Sequence, residues 1–311
     1  MLQIFLRSIV PLLLLIGAGF FSRYFGILKR GDERVLSAYV FFFALPSLFF
    51  VNISSVHFTA RELRFVMASA LPSVIALVFY LFLYFAFKFK RENLFLLILV
   101  TVFGSTAFFG IPFIMFAFPG IEPERLATLA AASTSLVGVF IGITVLEFHA
   151  MGETSLGKAI RTVIIKLSKN PLILSIVIGS VFAIFKIKVP HPLATALHML
   201  GRTTATVAIF MLGVFLYGKN YSKLFLGFKL SLLRIVAFPV VALVSSLLLE
   251  ISGIERTVVV LMHGMPVAVS LIILSERYSF QKQAIASAIL ISSLASGLHL
   301  NLWIFVLGLI K

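Results

Sequence analysis

Two apolar segments interrupted by glycine and proline hold the residues of this chain whose chemistry is most suggestive. They are Gly104-Ser-Thr-Ala-Phe-Phe-Gly-Ile-Pro112 and His263-Gly-Met-Pro266. Proline lacks a backbone N–H and clashes with the carbonyl four residues earlier, while glycine relaxes the backbone, so each segment predicts a broken helix. A break exposes a C-terminal helix end with partial negative charge and an N-terminal end with free amides, which is a site for an anion.

The side chains at these breaks add hydrogen-bonding groups. Ser105 and Thr106 carry hydroxyl donors, although small residues also serve close helix packing in membranes. His263 is the only titratable residue beside either break, and the sequence leaves open whether it binds an anion, couples transport to protons or is a structural hydrogen-bonding residue. The predicted substrate-binding residues are Gly104, Ser105, Thr106, Gly110, Pro112, His263, Gly264, Met265 and Pro266.

Further polar residues lie inside other apolar stretches and are secondary candidates. Asparagine is costly in hydrocarbon and normally finds a partner, so Asn52 stands out, although it could simply cap a helix end. Small-residue packing explains the serines equally well. The secondary candidates are Pro46, Ser47, Asn52, Ser133, Ser135 and Ser292.

The composition requires a membrane around these segments. Hydrophobic residues make up 61% of the 311, Phe numbers 34 and the mean hydropathy is +1.14. A net charge of +15 would suggest nucleic acid in a soluble protein. Here the basic residues cluster beside apolar stretches, where they meet anionic lipid headgroups, so we expect a bilayer and not nucleic acid as partner.

Some chemistries are excluded or weakened by what the sequence lacks. It has no cysteine, which excludes disulfides and thiolate-ligated metal sites, and nothing in it calls for a cofactor. The only aspartate is Asp32, in a basic connection, and no glutamate falls clearly within an apolar stretch. A site without acids suits an anion or a neutral solute. Sodium binding through carbonyls and hydroxyls alone stays open.

Charged and turn-forming clusters divide the chain into ten segments long enough to cross a hydrocarbon core of about 30 Å. Residues 190–201, before the seventh segment, are alternatively a re-entrant or interfacial piece. The ten segments have their approximate cores at 4–21, 35–51, 63–87, 94–118, 126–148, 171–185, 203–217, 224–249, 257–274 and 284–309.

Lysine and arginine are unevenly shared between the two sides of this layout. Seventeen of the 26 fall on one side, which the positive-inside rule makes cytoplasmic. This predicts a multi-pass protein of the cell membrane with both termini outside. The seventeen are Arg23, Lys29, Arg30, Arg34, Lys88, Lys90, Arg91, Lys158, Arg161, Lys166, Lys169, Lys219, Lys223, Lys229, Arg234, Arg277 and Lys282.

Five segments lie on each side of the longest basic connection, and an odd number of crossings makes a related second half inverted. We therefore predict an all-α membrane protein of two inverted five-helix repeats, broken in helices four and nine. The first repeat is 1–150, the cytoplasmic linker 151–170 and the second repeat 171–311.

With these residues in view, the chain resembles the auxin efflux carrier family over nearly its whole length. The matching pieces are residues 36–50, Gly104 to Pro112, and residues 262–268 followed by Glu276-Arg-Tyr278. One departure is Ser105, where the family usually has asparagine. The resemblance implies that helices four and nine cross at their breaks and that helices 1, 2, 6 and 7 form a scaffold. It also implies that the remaining helices form an elevator-type transport domain, often in a homodimer, that carries auxins or dicarboxylates.

The predicted function is therefore secondary transport of a small organic anion such as malate, malonate or an auxin. The rival within transport is a sodium- or proton-coupled symporter of the bile-acid type. An intramembrane enzyme is less favoured because His263 has no evident catalytic partner in the sequence. A receptor without transport is the remaining alternative.

Overall fold

The chain folds into fifteen α-helices and three π-helical segments within the residues that this computed structural model describes, 2–151, 156–218 and 221–309. The α-helices are α1 (Leu2–Tyr24), α2 (Asp32–Tyr39), α3 (Leu45–Ser54), α4 (Ala60–Phe87), α5 (Arg91–Val102), α6 (Ile111–Ala117), α7 (Ile121–Met151), α8 (Leu156–Ser168), α9 (Pro171–Ile184), α10 (His191–Leu216), α11 (Leu224–Leu232), α12 (Phe238–Leu248), α13 (Gly253–His263), α14 (Ser270–Arg277) and α15 (Lys282–Leu309). The π-helical segments are Val40–Ala44, Thr106–Gly110 and Leu233–Ala237. The described residues contain no strand beyond one isolated bridge, which confirms an all-α fold for this part of the chain.

Each π-helical segment ends two residues before a proline. These prolines are Pro46, Pro112 and Pro239, and each lies in the first turn of the next α-helix. Because proline cannot donate to the carbonyl four residues earlier, the preceding turn widens while the chain stays helical. The expectation that the helix parts at Pro112 is therefore wrong, and the interruption comes earlier, at residues 103–105.

Two compact units make up the chain, and each takes segments from both halves of the sequence. The first unit contains Met1–Arg64, Ala107–Ala132 and Asn170–Lys219. The second unit contains Phe65–Thr106, Ser133–Lys169 and Asn220–Lys311. The two predicted interruptions, at 103–105 and after His263, both fall in the second unit.

Glycines set the helix packing of the first unit. A Cβ atom at Gly19 of α1 would overlap the Phe210 carbonyl of α10, and one at Gly213 of α10 would overlap the Ile16 carbonyl of α1. Gly179 of α9 lies against α3, because a Cβ atom built at Gly179 would be 3.2 Å from the Cβ atom of Ile53. Small residues thus let these backbones approach closely, as is common in bilayers.

The second unit is centred on α13, whose residues from Val258 to Met262 are all 0% exposed. Helix α12 packs against α13, and α11 packs against α15. Gly227 of α11 allows the second contact, because a Cβ there would lie 2.7 Å from the Ser287 backbone of α15. A tightly packed frame therefore surrounds the interruption after His263.

Among the described residues, six helical stretches are long and apolar enough to cross a membrane, and the pair Ile160–Ser168 and Pro171–Ile184 passes the same test together. The six are Asp32–Ser54, Ala60–Phe87, Ile121–Ala150, His191–Leu216, Leu224–Leu248 and Lys282–Leu309. Outward apolar side chains such as Leu14, Phe82 and Phe85, 67%, 64% and 71% exposed, suit lipid and not water. The protein is a multi-pass membrane protein, while ten spans and an inverted repeat stay predictions.

Two local expectations can be compared with the helices directly. Residues 190–201 do not form a separate re-entrant piece, because α10 runs without a break from His191. The predicted linker 151–170 is largely helical, since it contains α8. Residues 152–155 of that linker lie outside the described residues.

Candidate functional site

The two interrupted segments pair with each other through one antiparallel β-bridge. Gly104 and Val267 form the bridge, between the end of α5 and the start of α14. The Ser105 amide donates to the Pro266 carbonyl at 2.8 Å, and the Ala268 amide donates to the Phe103 carbonyl at 2.9 Å. This pairing satisfies backbone groups that hydrocarbon could not, which is why both interruptions are stable inside the protein.

Side chains from α15 complete the hydrogen bonding of the second interruption. The Val267 amide donates to Ser292 Oγ at 3.1 Å, and His299 Nε2 lies 2.7 Å from the Gly264 carbonyl. His299 is 8% exposed and lies within α15. Ser292 and His299 are thus positioning residues for the backbone after His263.

A buried arginine, Arg234, lies against the carbonyls at both interruptions. It is 1% exposed and belongs to the π-helical segment Leu233–Ala237. Its Nε donates to the Met265 carbonyl at 2.8 Å, Nη1 to the Thr101 carbonyl at 2.5 Å and Nη2 to the Met262 carbonyl at 3.5 Å. The guanidinium therefore joins the C-terminal end of α5 to that of α13.

Sequence reasoning missed Arg234 because it was counted among the cytoplasmic basic residues. A signal was present, since Arg234 lies well inside the apolar stretch Leu224–Leu248. Lys223, just before this stretch, and Lys229, near its start, are both exposed. A charge inside a membrane span is costly and usually functional, so its position alone marked Arg234 as a candidate.

Gly104 makes room for this guanidinium. A Cβ atom built at Gly104 would overlap the Nη2 and Cζ atoms of Arg234. The φ angle of Gly104 is not in the left-handed region, so the requirement is space and not backbone freedom. Glycine at 104 is therefore needed because of the arginine that the second half of the chain places beside it.

Phe238 links Arg234 to His263. The guanidinium carbon of Arg234 lies 4.9 Å from the centre of the Phe238 ring, within the range of a cation–π interaction. The other contact of Phe238 is edge-to-face with His263, with ring centres 4.9 Å apart. His263 Nδ1 lies 2.7 Å from the Val259 carbonyl, and its buried Nε2 has no hydrogen-bond partner among the described residues.

These groups line a cavity with about 340 Å³ of empty space, including the part that opens to its surroundings. Thr134 Oγ1 donates to Thr106 Oγ1 at 3.3 Å on its wall. No carboxylate lines this cavity in the part of the chain that the structure describes. Its lining residues are Ser73, Val102, Phe103, Gly104, Thr106, Thr134, Ser135, Gly138, Val139, Arg234, Phe238 and His263.

Four of the sequence-predicted residues line this cavity, namely Gly104, Thr106, Ser135 and His263. Six others belong to the same unit and do not line the cavity; they are Ser105, Ser133, Gly264, Met265, Pro266 and Ser292. Met265 and Pro266 contribute backbone carbonyls, to Arg234 and to Ser105 respectively. Ser292 supports Val267.

The remaining predicted residues belong to the first unit. They are Pro46, Ser47, Asn52, Gly110 and Pro112. Asn52 Nδ2 donates to Thr128 Oγ1 at 3.0 Å, so its polar group is satisfied between α3 and α7. Pro46 and Pro112 follow π-helical segments and lie in first helical turns. Asn52, Pro46 and Pro112 therefore have structural roles in the first unit.

The chain is similar along its length to a family of membrane transport proteins and to transporters that are themselves uncharacterized. The family model described as "Membrane transport protein" matches residues 4–150 and 153–304. The uncharacterized transporter MJ1031 of Methanocaldococcus jannaschii is 30% identical over 96% of this chain and 97% of its own length. The uncharacterized transporter YfdV of Escherichia coli K12 is 20% identical, and the match covers 100% of both chains.

Proposed function

Because the chain belongs to the membrane transport protein family of the auxin efflux carrier type, we propose that it is a secondary transporter of a small organic anion. The family membership confirms the resemblance drawn from residues 36–50, 104–112 and 262–268. The family and the names of the relatives indicate a transporter. The class of substrate follows from the cavity of the second unit.

The observation that carries the proposal is a buried arginine in a cavity that no acid among the described residues lines. A guanidinium has five N–H donors, and carbonyls of the described residues accept from three atoms of Arg234. Two N–H groups are left, and Arg234 lines the cavity. A carboxylate matches such a pair of donors in shape and charge.

The rest of the wall offers hydroxyls and one imidazole to the same ligand. Thr106, Thr134 and Ser135 contribute hydroxyl groups. His263 Nδ1 carries the proton donated to the Val259 carbonyl, so in the neutral imidazole the buried Nε2 accepts a hydrogen bond and suits a hydroxyl of the ligand. Apolar side chains such as Val102 and Phe103 complete the lining. A small carboxylate with an apolar or second polar end, such as malonate, malate or an indole acetate, fits this mixture of groups.

We further propose that the substrate is carried by elevator-type alternating access in the cell membrane. The transport domain would hold the cavity. The scaffold, formed by the predicted segments 4–21, 35–51, 171–185 and 203–217, would stay fixed. The make-up of the two compact units supports this division, because each draws on both halves of the chain. The bias of lysine and arginine supports an orientation with both termini outside.

The test is flux into proteoliposomes that contain the purified protein. Malonate, malate and an auxin are compared with their neutral amides of the same size. We expect that carboxylates accelerate counterflow and that the amides do not. Equal transport of a neutral analogue would overturn the assignment of an anion. Flux in choline and in sodium buffers, and with and without a pH gradient, separates this proposal from the sodium- or proton-coupled rival.

A further inference from the structure

The carbonyls that accept from Arg234 share one property, which is their place at the ends of interrupted helices. Thr101 is in the last turn of α5, Met262 is in the last turn of α13, and Met265 follows α13 by two residues. The last four carbonyls of a helix lack intrahelical partners and carry the negative end of its dipole. Two such ends meet at one guanidinium.

Carbonyl oxygens at the ends of broken membrane helices are the usual ligands of a coupling cation such as Na⁺. In this chain three such carbonyls at the two interruptions, those of Thr101, Met262 and Met265, accept from Arg234. A metal ion at the same carbonyls would be repelled by the guanidinium at close range. Arg234 and a coupling cation therefore exclude each other here.

We propose that Arg234 is a tethered cation that permanently occupies the place of an exchangeable metal cation at the paired interruptions. The transport cycle then needs no Na⁺ at this position, and removal of the side chain creates a cation site. The inference deepens the proposed function but does not depend on it, because cation occupancy can be measured without any substrate.

Two residues of the second unit accommodate this tethered cation. Gly104 leaves the space for the guanidinium. Phe238 places its ring 4.9 Å from the guanidinium carbon. No ion pair between Arg234 and an acid is formed within the described ranges, so the two helix ends and the ring are what offset its burial.

The experiment measures the thermal unfolding midpoint of the purified full chain without substrate, in sodium and in choline buffers. Wild type, Arg234→Ala and Arg234→Lys are compared, and Lys229→Ala, which removes an exposed lysine on α11, is the matched control. Guanidinium below denaturing concentrations is the rescue probe, with urea as its neutral counterpart. The single tryptophan, Trp303, donates to the Ile235 carbonyl at 3.0 Å and reports locally by its fluorescence.

We expect wild type and Lys229→Ala to have the same midpoint in both buffers. The unfolding midpoint of Arg234→Ala should fall by several degrees below that of wild type. Guanidinium or Na⁺, but not urea or choline, should restore most of that fall. The unfolding midpoint of Arg234→Lys should lie between those of wild type and Arg234→Ala, and Na⁺ should change it little. The Trp303 emission of Arg234→Ala should return towards that of wild type when guanidinium is added.

Two results would overturn the inference. One is saturable stabilisation of wild type by Na⁺, a measurement that needs no variant to fold. The other is a folded Arg234→Ala protein whose midpoint responds to neither cation. If the cation rescue is observed and no carboxylate is transported, only the proposed function fails. If carboxylates are transported and the rescue is absent, only the role of Arg234 as a tethered cation fails.

Discussion

A Cβ atom at Gly104 would overlap the guanidinium group of Arg234. The two residues are far apart in sequence, and the pairing of the interrupted segments brings them together. The glycine is part of a short extended segment, and the arginine comes from a π-helical turn in the other half of the chain. The arginine can therefore occupy its position only because residue 104 has no side chain.

Replacement of Gly104 by alanine should displace the guanidinium from the Thr101 and Met265 carbonyls. We expect carboxylate flux to fall by roughly 10–100-fold, because small misplacements of a binding group have effects of this size. Gly308→Ala on α15 is the matched control, since nothing lies within 4 Å of a Cβ built there. Flux of the Gly104→Ala protein equal to that of the control would contradict the role of Gly104.

The hydroxyls of the cavity should contribute to affinity separately from Arg234. Thr106→Val and Thr134→Val remove hydroxyls without a change of shape, and each should weaken carboxylate binding by roughly 2–10-fold. Thr195→Val is the control, because Thr195 is exposed on α10 and bonds only to its own helix at His191. Calorimetric titration with malonate checks this, and unchanged affinity in both variants would place the substrate elsewhere.

The glycine contact between α1 and α10 should govern the stability of the first unit. Gly213→Ala would push a methyl group into the Ile16 carbonyl, and we expect a loss of about 1–3 kcal/mol in the free energy of unfolding. Gly17→Ala on α1 meets nothing within 4 Å and should be neutral or slightly stabilising. Thermal unfolding in detergent compares the Gly213→Ala and Gly17→Ala proteins. Equal midpoints would mean that α1 and α10 can move apart without loss of stability.

A polar cluster at the end of α7 should stabilise the second unit. Glu147 is 5% exposed, forms an ion pair with Lys166 and accepts a hydrogen bond from Tyr278, whose hydroxyl lies 2.7 Å from Lys166 Nζ. Glu147→Gln should cost about 1–3 kcal/mol in the free energy of unfolding, because it leaves a partly buried lysine without its countercharge.

The control for this change is Glu92→Gln, at an exposed position in the first turn of α5. Chemical unfolding monitored by Trp303 fluorescence measures both variants. We expect the Glu92→Gln protein to unfold at the wild-type denaturant concentration. A Glu147→Gln protein as stable as that control would show that Lys166 finds another partner.

Much of the fold was predictable because apolar length and breaking residues are local properties. The limits of α4, α7 and α15 lie within a few residues of the predicted segments 63–87, 126–148 and 284–309. The two interruptions were predicted from glycine and proline, although Pro112 widens its helix and does not break it. The ten-span count, the inverted repeat and the scaffold assignment stay predictions.

The candidate site was only partly predictable. Gly104, Thr106 and His263 line the cavity, as the sequence suggested for a site at the breaks. Ser105 contributes a backbone amide to the pairing, and it does not line the cavity. Arg234 was missed because a count of charges by connection assigns every basic residue to a loop and does not ask how deep it lies in a span.

The sequence by itself determined that the chain is a helical membrane protein of this transport family, with two interrupted helices and no acid beside either interruption. Only the tertiary structure decided that the interruptions pair and that Arg234 lies between their carbonyls. The physical reason is that the two kinds of interaction join residues at different separations in the sequence. Apolar length and proline act within one helix, whereas a buried charge is stable only where separate helix ends converge on it.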